Sequence, residues 1–189
     1  MIIGVLALQG AFIEHQKMLA ELHVKTQDVR LPEHLESIDG LIIPGGESTT
    51  IGKLAEAYHL IEPIQEFAMN RPIWGTCAGM IFMAKKINHA SQQLLKIMDI
   101  HVKRNAFGRQ VDSFLTPLDI PEIGGSPFPG VFIRAPAVVD YGPEVRVVCT
   151  LSDGRIVAVK EKHWLATSFH PELTEDNRFH KFFLNMIRK

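Results

Sequence analysis

The chain has 189 residues, enough for one compact domain that buries roughly 70% of its unfolded surface and too few for two comfortable ones. Twenty basic and 21 acidic residues leave a net charge of −1, so no overall field draws the chain to nucleic acid or to an anionic membrane. The start lacks the basic region and cleavage site of a signal peptide, no apolar run approaches a membrane span, and Cys77 and Cys149 stand far apart without metal-type spacing, which together predict a reduced, cytoplasmic protein with no disulfide and no metal.

From the amino terminus, Ile2 to Leu8 reads as a strand buried on both faces, and Ala11 to Leu22 as a helix with Phe12, Met18, Leu19 and Leu22 on its apolar side. Gln9 follows the first strand; it is either a plain polar strand end or a coupling residue. Leu41-Ile42-Ile43 is a second buried strand. It runs into Pro44-Gly45-Gly46-Glu47-Ser48-Thr49-Thr50, a glycine-rich turn that opens a helix. Paired glycines let backbone N–H groups point into a cleft, which makes this turn an oxyanion-hole candidate; it is equally an ordinary turn in which Ser48 or Thr49 caps the next helix. It is not a phosphate loop, because the glycine spacing and the Lys-Ser/Thr pair are missing.

Helical patterns at Ile51 to Tyr58 and Ile61 to Met69 precede a strand at Pro72 to Thr76 and an apolar helical run from Met80 to Ala84. Between these last two lies Gly75-Thr76-Cys77-Ala78-Gly79, the strand–turn–helix context of a nucleophile elbow with cysteine in the serine position. Its flanking glycines allow the tight turn, and the helix start favours thiolate over thiol. A buried core cysteine is the alternative. This βαβ rhythm predicts an α/β fold whose parallel sheet carries helices on both faces and a site at the carboxyl ends of the strands.

From about Ile97 the pattern turns strand-like. Val131 to Ile133, Val145 to Thr150 and Ile156 to Lys160 read as antiparallel additions to the same sheet, with turns at 124–130 and 152–154. Near the end stands Ser168-Phe169-His170-Pro171-Glu172. In an extended segment residues two apart share a face, so the His170 imidazole and the Glu172 carboxylate can meet. A cysteine on an elbow with a histidine paired to a carboxylate supplies nucleophile, base and orienter.

The elbow, the Pro-Gly-Gly-Glu-Ser turn and the His-Pro-Glu ending resemble the class I glutamine amidotransferases. More narrowly, Leu8 to Ala11, Pro44 to Thr50, Arg104 to Phe114, Phe132 to Pro136 and Ser168 to Glu175 resemble the glutaminase subunits of pyridoxal 5′-phosphate synthase, along essentially the whole chain. The elbow is common to the class; the Arg104 to Phe114 block is the distinctive part. Ala106 stands where that family has serine, and Phe82 where many other class I members have glutamine.

The resemblance implies a single-domain, flavodoxin-like three-layer sandwich around a mixed, mainly parallel sheet over 1–189. It implies hydrolysis of L-glutamine by a Cys77–His170–Glu172 triad through a thioester, with the Gly46 and Ala78 N–H groups as oxyanion hole. It maps the glutamine pocket onto Gly46, Glu47, Ser48, Arg104, Ile133 and Arg134, where Glu47 suits the α-ammonium and Arg104 the α-carboxylate. Nothing in the pattern gives Arg109 or Asp112 a chemical role. No cofactor is implied. The implied partner is a separate synthase subunit in a hetero-oligomeric complex, coupled through Gln9. By the same resemblance the chain is expected among hydrolases and also among lyases. A glutaminase of histidine biosynthesis, a cysteine hydrolase or peptidase on a related fold, and a non-catalytic regulatory module remain alternatives.

Overall fold

The computed structural model describes residues 1–88, 91–108 and 112–188. In chain order the first half contains β1 (Ile2–Leu6), α1 (Phe12–Glu21), β2 (Lys25–Val29), β3 (Gly40–Ile43), α2 (Ser48–Ala57), α3 (Ile61–Asn70), β4 (Ile73–Thr76) and α4 (Ala78–Met83). The second half contains β5 (Ala84–Ile87), β6 (Met98–Lys103), β7 (Ser113–Leu118), β8 (Phe128–Ile133), β9 (Ala137–Tyr141), β10 (Arg146–Thr150), β11 (Ile156–Glu161), β12 (Trp164–Thr167) and α5 (Arg178–Ile187).

Ten strands form one mixed sheet in the order β2-β1-β3-β4-β12-β11-β9-β6-β5, with β10 on β11. The neighbours from β2 through to β12 are all parallel, whereas β12, β11, β9 and β6 alternate in direction. The strands β1, β3 and β4 read as continuous apolar runs because both of their faces are buried. Side chains alternate between two cores. Leu41, Ile43 and Ile73 pack with α2, α3 and α4 through Ile51, Ile64, Phe67 and Met80. Ile3, Val5, Ile42 and Trp74 pack on the opposite face with Leu19 of α1 and Phe179, Phe183 and Leu184 of α5. The outcome is three layers, helices on either side of the sheet.

Two readings of the sequence need correction, and further elements were not anticipated. β7 and β8 do not join the main sheet but pair with each other as a separate two-stranded sheet. β12, which the sequence reading left unassigned, is a parallel neighbour of β4. The apolar helical run ends at Met83, where Ala84 turns extended and begins β5. The edge strand β2, only partly buried, and the carboxyl-terminal helix α5 were not anticipated; Lys25 to Val29 is too polar to read as a buried strand. Among the described residues no helix is long and apolar enough to cross a membrane.

Candidate active site

The parallel strands β1, β3, β4 and β12 end on one edge of the sheet, and the segments leaving them bring together Gln9, Gly45 to Ser48, Cys77 and His170. Cys77 stands between β4 and α4 with φ 49° and ψ −101°, a conformation a residue with a side chain adopts only when its surroundings impose it. Close packing does so here. A Cβ on Gly79 would run into the Ile43 carbonyl, and one on Gly75 would stand 2.5 Å from the Gly79 carbonyl carbon, so α4 can lie against the sheet only with glycine at both positions. The Cys77 N–H donates to the Thr167 carbonyl at 2.7 Å, fixing the elbow to the end of β12. Its Sγ lies 3.8 Å from the carbonyl oxygen of Ile133, the last residue of β8.

His170 follows β12, and its N–H donates to the Val131 carbonyl at 2.8 Å. Its Nδ1 meets Glu172 Oε1 at 2.7 Å. This pair does not arise from an extended segment as the sequence predicts: Pro171 opens a 3₁₀ turn over Pro171–Leu173 that folds Glu172 back onto the imidazole. Both side chains are buried. Burial acts to lower the His170 pKa, but hydrogen bonds to Cys77 and Glu172 and the negative charge of both outweigh it, so the imidazole is raised from 6.5 to about 10. Burial likewise opposes ionisation of Glu172; His15 and His170 outweigh it and hold the carboxyl below its ordinary value.

Beside this pair lies the glycine-rich turn. The Gly45 carbonyl accepts from the Ala11 N–H at 2.9 Å, and because a trans peptide is planar the Gly46 N–H points to the opposite side, away from α1. A Cβ on Gly45 would collide with the His170 ring, so the turn abuts the imidazole directly. Ala78 heads α4, where an amide N–H has no intrahelical acceptor. Gln9 lies in the loop after β1, and its Oε1 accepts from the Glu47 N–H at 2.8 Å, bracing the turn from behind.

The cap of α2 is Glu47, not Ser48 or Thr49: its carboxylate accepts from the Thr49 and Thr50 N–H groups at 3.3 and 2.8 Å and from the Thr50 hydroxyl. The Thr50 hydroxyl bond is the chief reason its pKa falls to about 2. Arg104 Nη2 lies 3.8 Å from Glu47 Oε1. Sequence reasoning missed Gln92, whose Oε1 accepts from the Ser48 hydroxyl at 3.2 Å and from Arg104 Nη1 at 3.3 Å. Glu47, Ser48 and Arg104 thus form one polar cluster. Ile133 contributes its carbonyl to the cysteine, whereas Arg134, at φ 42°, has an exposed side chain. The Arg134 N–H donates to the Asp112 carbonyl at 2.7 Å, giving Asp112 a structural contact. Arg109 lies outside the described residues. Among the described residues no cluster of three His, Cys, Asp or Glu side chains is placed to hold a metal.

A model of the SNO glutamine amidotransferase family matches residues 5–189. The chain is 57% identical over 190 residues to a pyridoxal 5′-phosphate synthase subunit PdxT of Herpetosiphon aurantiacus, covering 98% of this chain and 100% of that one. It is 55% identical over 189 residues to the protein of the same name from Desulforamulus reducens, with both chains fully covered. A solved structure described as a glutamine amidotransferase superposes with a TM-score of 0.93 at 46% identity, covering 99% of each chain. These findings overturn the expected lyase class. They point to a glutamine amidotransferase, and a thiol beside an imidazole–carboxylate pair is equipment for acyl transfer to water, not for elimination.

Proposed function

The chain belongs to the SNO glutamine amidotransferase family, and from that premise we propose that residues 1–189 act as one glutaminase domain, the ammonia-supplying subunit of a cytoplasmic pyridoxal 5′-phosphate synthase. The observation that carries the mechanism is the strained Cys77 set beside a buried imidazole that is hydrogen-bonded to a carboxylate. In this reading Cys77 Sγ attacks the side-chain amide carbon of L-glutamine, and the Gly46 and Ala78 N–H groups hold the oxygen that becomes negative. His170 gives its proton to the departing ammonia. A γ-glutamyl thioester remains on Cys77. His170 then takes a proton from water, the resulting hydroxide adds to the thioester carbonyl, and collapse releases glutamate and restores the thiol. Glu172 fixes the imidazole tautomer and stabilises its protonated form.

Glu47, Ser48 and Arg104 bind the amino-acid end of glutamine, with the Ile133 carbonyl and the Arg134 backbone closing the other side. Ammonia released into water at neutral pH becomes ammonium and is no longer nucleophilic. A glutaminase is therefore useful only against a second protein that consumes ammonia, and relatives named as synthase subunits favour that arrangement over a freestanding hydrolase, a peptidase or a regulatory module. The test is glutamate release by the complex with the synthase subunit. Cys77→Ala should lower turnover by roughly 10⁵–10⁶-fold with the fold intact, and His170→Ala nearly as far. Wild-type turnover in a folded Cys77→Ala chain would overturn the mechanism.

A further inference from the structure

Behind the triad carboxylate lies a polar chain that the mechanism above does not use. Glu172 Oε1 is engaged by His170, but its second oxygen makes no hydrogen bond among the described residues. Against that oxygen, at 3.4 Å, stands Nε2 of His15 on α1, which also lies 3.2 Å from the Thr76 hydroxyl beside the elbow. His15 Nδ1 in turn meets Nε2 of His180 on α5 at 3.0 Å. Both histidines are fully buried, packed edge-on against the Trp74 indole at centroid distances of 5.5 and 5.0 Å. Two polar rings in an aromatic core are costly unless their hydrogen bonds are well used.

We infer that His15 is a positioning residue for glutamine hydrolysis, donating from Nε2 to the free oxygen of Glu172, and that His180 holds it in the tautomer able to do so. This rests on the glutaminase reading given above. The charges assign the protons. Glu172 Oε2 needs a donor, so the His15 proton belongs on Nε2, where Thr76 Oγ1 shares it. Nδ1 of His15 is then an acceptor, and the proton of His180 sits on Nε2. That leaves His180 Nδ1 as a bare buried acceptor, which matches its lack of a hydrogen-bond partner among the described residues. The opposite arrangement would orphan a buried N–H and leave the carboxylate oxygen with no donor, the worse outcome on both counts. Burial is the largest influence on each ring and holds the pKa of His15 below its ordinary value and that of His180 well below, so the relay is neutral at working pH.

A neutral donor here does two things. It keeps the carboxylate ionised without competing for the proton on His170, and it prevents Glu172 from rotating away from the imidazole. The ionisable groups that bear on Glu172 are His170 from its own turn and His15 from α1; beyond them lie Cys77, Glu14 and His180. Removing the His15 donor makes Glu172 harder to ionise, so the low-pH limb of turnover moves toward neutrality.

The experiment compares His15→Leu, His15→Gln and His180→Phe in the complex with the synthase subunit, with Cys77→Ala as control, measuring kcat, KM, the pH profile and the melting temperature. His15→Leu should lower kcat roughly 10- to 100-fold while KM changes less than about threefold, and shift the acid limb upward by about 1 pH unit. His15→Gln, which presents an N–H near the same place, should recover most of the loss, which a mere packing role does not predict. His180→Phe should move kcat and the acid limb in the same direction by less. Equal losses in the Leu and Gln variants, or a wild-type acid limb in folded His180→Phe or His15→Leu, would overturn the inference while an inactive Cys77→Ala leaves the glutaminase reading standing. An active Cys77→Ala would bring down that reading instead.

Discussion

Glu47 holds two positions at once, and replacing it separates them. Its carboxylate caps α2 through the Thr49 and Thr50 N–H groups, and the same oxygens face Arg104 in the cluster proposed to receive the amino-acid end of glutamine. Glu47→Ala removes an N-cap, costing about 1 kcal/mol. It also removes a pair with Arg104 that is half exposed at 51% and 33% and so contributes no more than about 1 kcal/mol. The melting temperature should therefore fall by roughly 2–8 °C. If the carboxylate also binds the substrate α-ammonium, KM should rise roughly 10- to 150-fold, the worth of a charge-assisted hydrogen bond of about 1.5–3 kcal/mol, with kcat little changed. Glu47→Gln retains an acceptor for the helix but no charge, so it should recover most of the stability and little of the binding.

The pH dependence has a definite sign. The folded-state pKa is depressed from 4.5 to about 2, so the contribution of Glu47 to stability is fully present above about pH 5 and drains away as pH falls through 2. The gap in melting temperature between wild type and Glu47→Ala should narrow over that window and stay constant above it. Steady-state glutamate release and calorimetry on the same preparations decide the matter. A lowered melting temperature with an unchanged KM would make Glu47 a cap and nothing more.

Arg104→Ala should raise KM roughly 10- to 150-fold, measured by the same assay; unchanged kinetics would make Arg104 a scaffold for Gln92 alone. Cys149 is held at a pKa of about 11, chiefly by burial and then by Asp119 and Glu122. Near pH 8 its thiolate fraction is thus about 100-fold below that of an ordinary thiol, and limited iodoacetamide should alkylate Cys77 and extinguish activity while leaving Cys149 untouched. Peptide mass mapping that finds Cys149 modified first would contradict this, as would any loss of activity in Cys149→Ser. The isolated chain should be a poor glutaminase that its synthase subunit accelerates roughly 10²- to 10³-fold, the worth of one oxyanion donor. Equal rates with and without the subunit would refute gating, and a Gln9→Ala chain activated like wild type would remove Gln9 from the coupling.

The parts of the fold readable in advance were those in which one physical signal dominates. β1, β3 and β4 are continuous apolar runs because both faces of each are buried, and the elbow glycines are visible because backbone touches backbone there. β2 is an edge strand with a polar, partly buried pattern, and nothing in its own residues marks it; pairing with β1 creates it. The same holds for β12. Its residues Trp164 to Thr167 are short and apolar, and parallel or antiparallel placement depends on β4, about ninety positions earlier in the chain.

The site divides along the same line. The Cys77 elbow and the His170–Glu172 contact were legible because each is local: a strand–turn–helix and a tripeptide. Even so, the geometry joining His170 to Glu172 is a 3₁₀ turn begun by Pro171, not extended backbone. Gln92 had no signal, because an amide becomes informative only once three hydroxyl and guanidinium donors converge on it. His15 did leave a trace. It lies three residues after Phe12 and three and four before Met18 and Leu19, squarely on the apolar stripe of α1. An ionisable ring on such a stripe is normally a satisfied core residue, and His15 is that too: its Nδ1 reaches His180 and its Nε2 the Thr76 hydroxyl. What lifts it out of that class is a carboxylate oxygen with no other donor among the described residues, contributed from the far end of the chain. Position on one helix can nominate a residue. Only the unmet need of a residue on another element can give it a task.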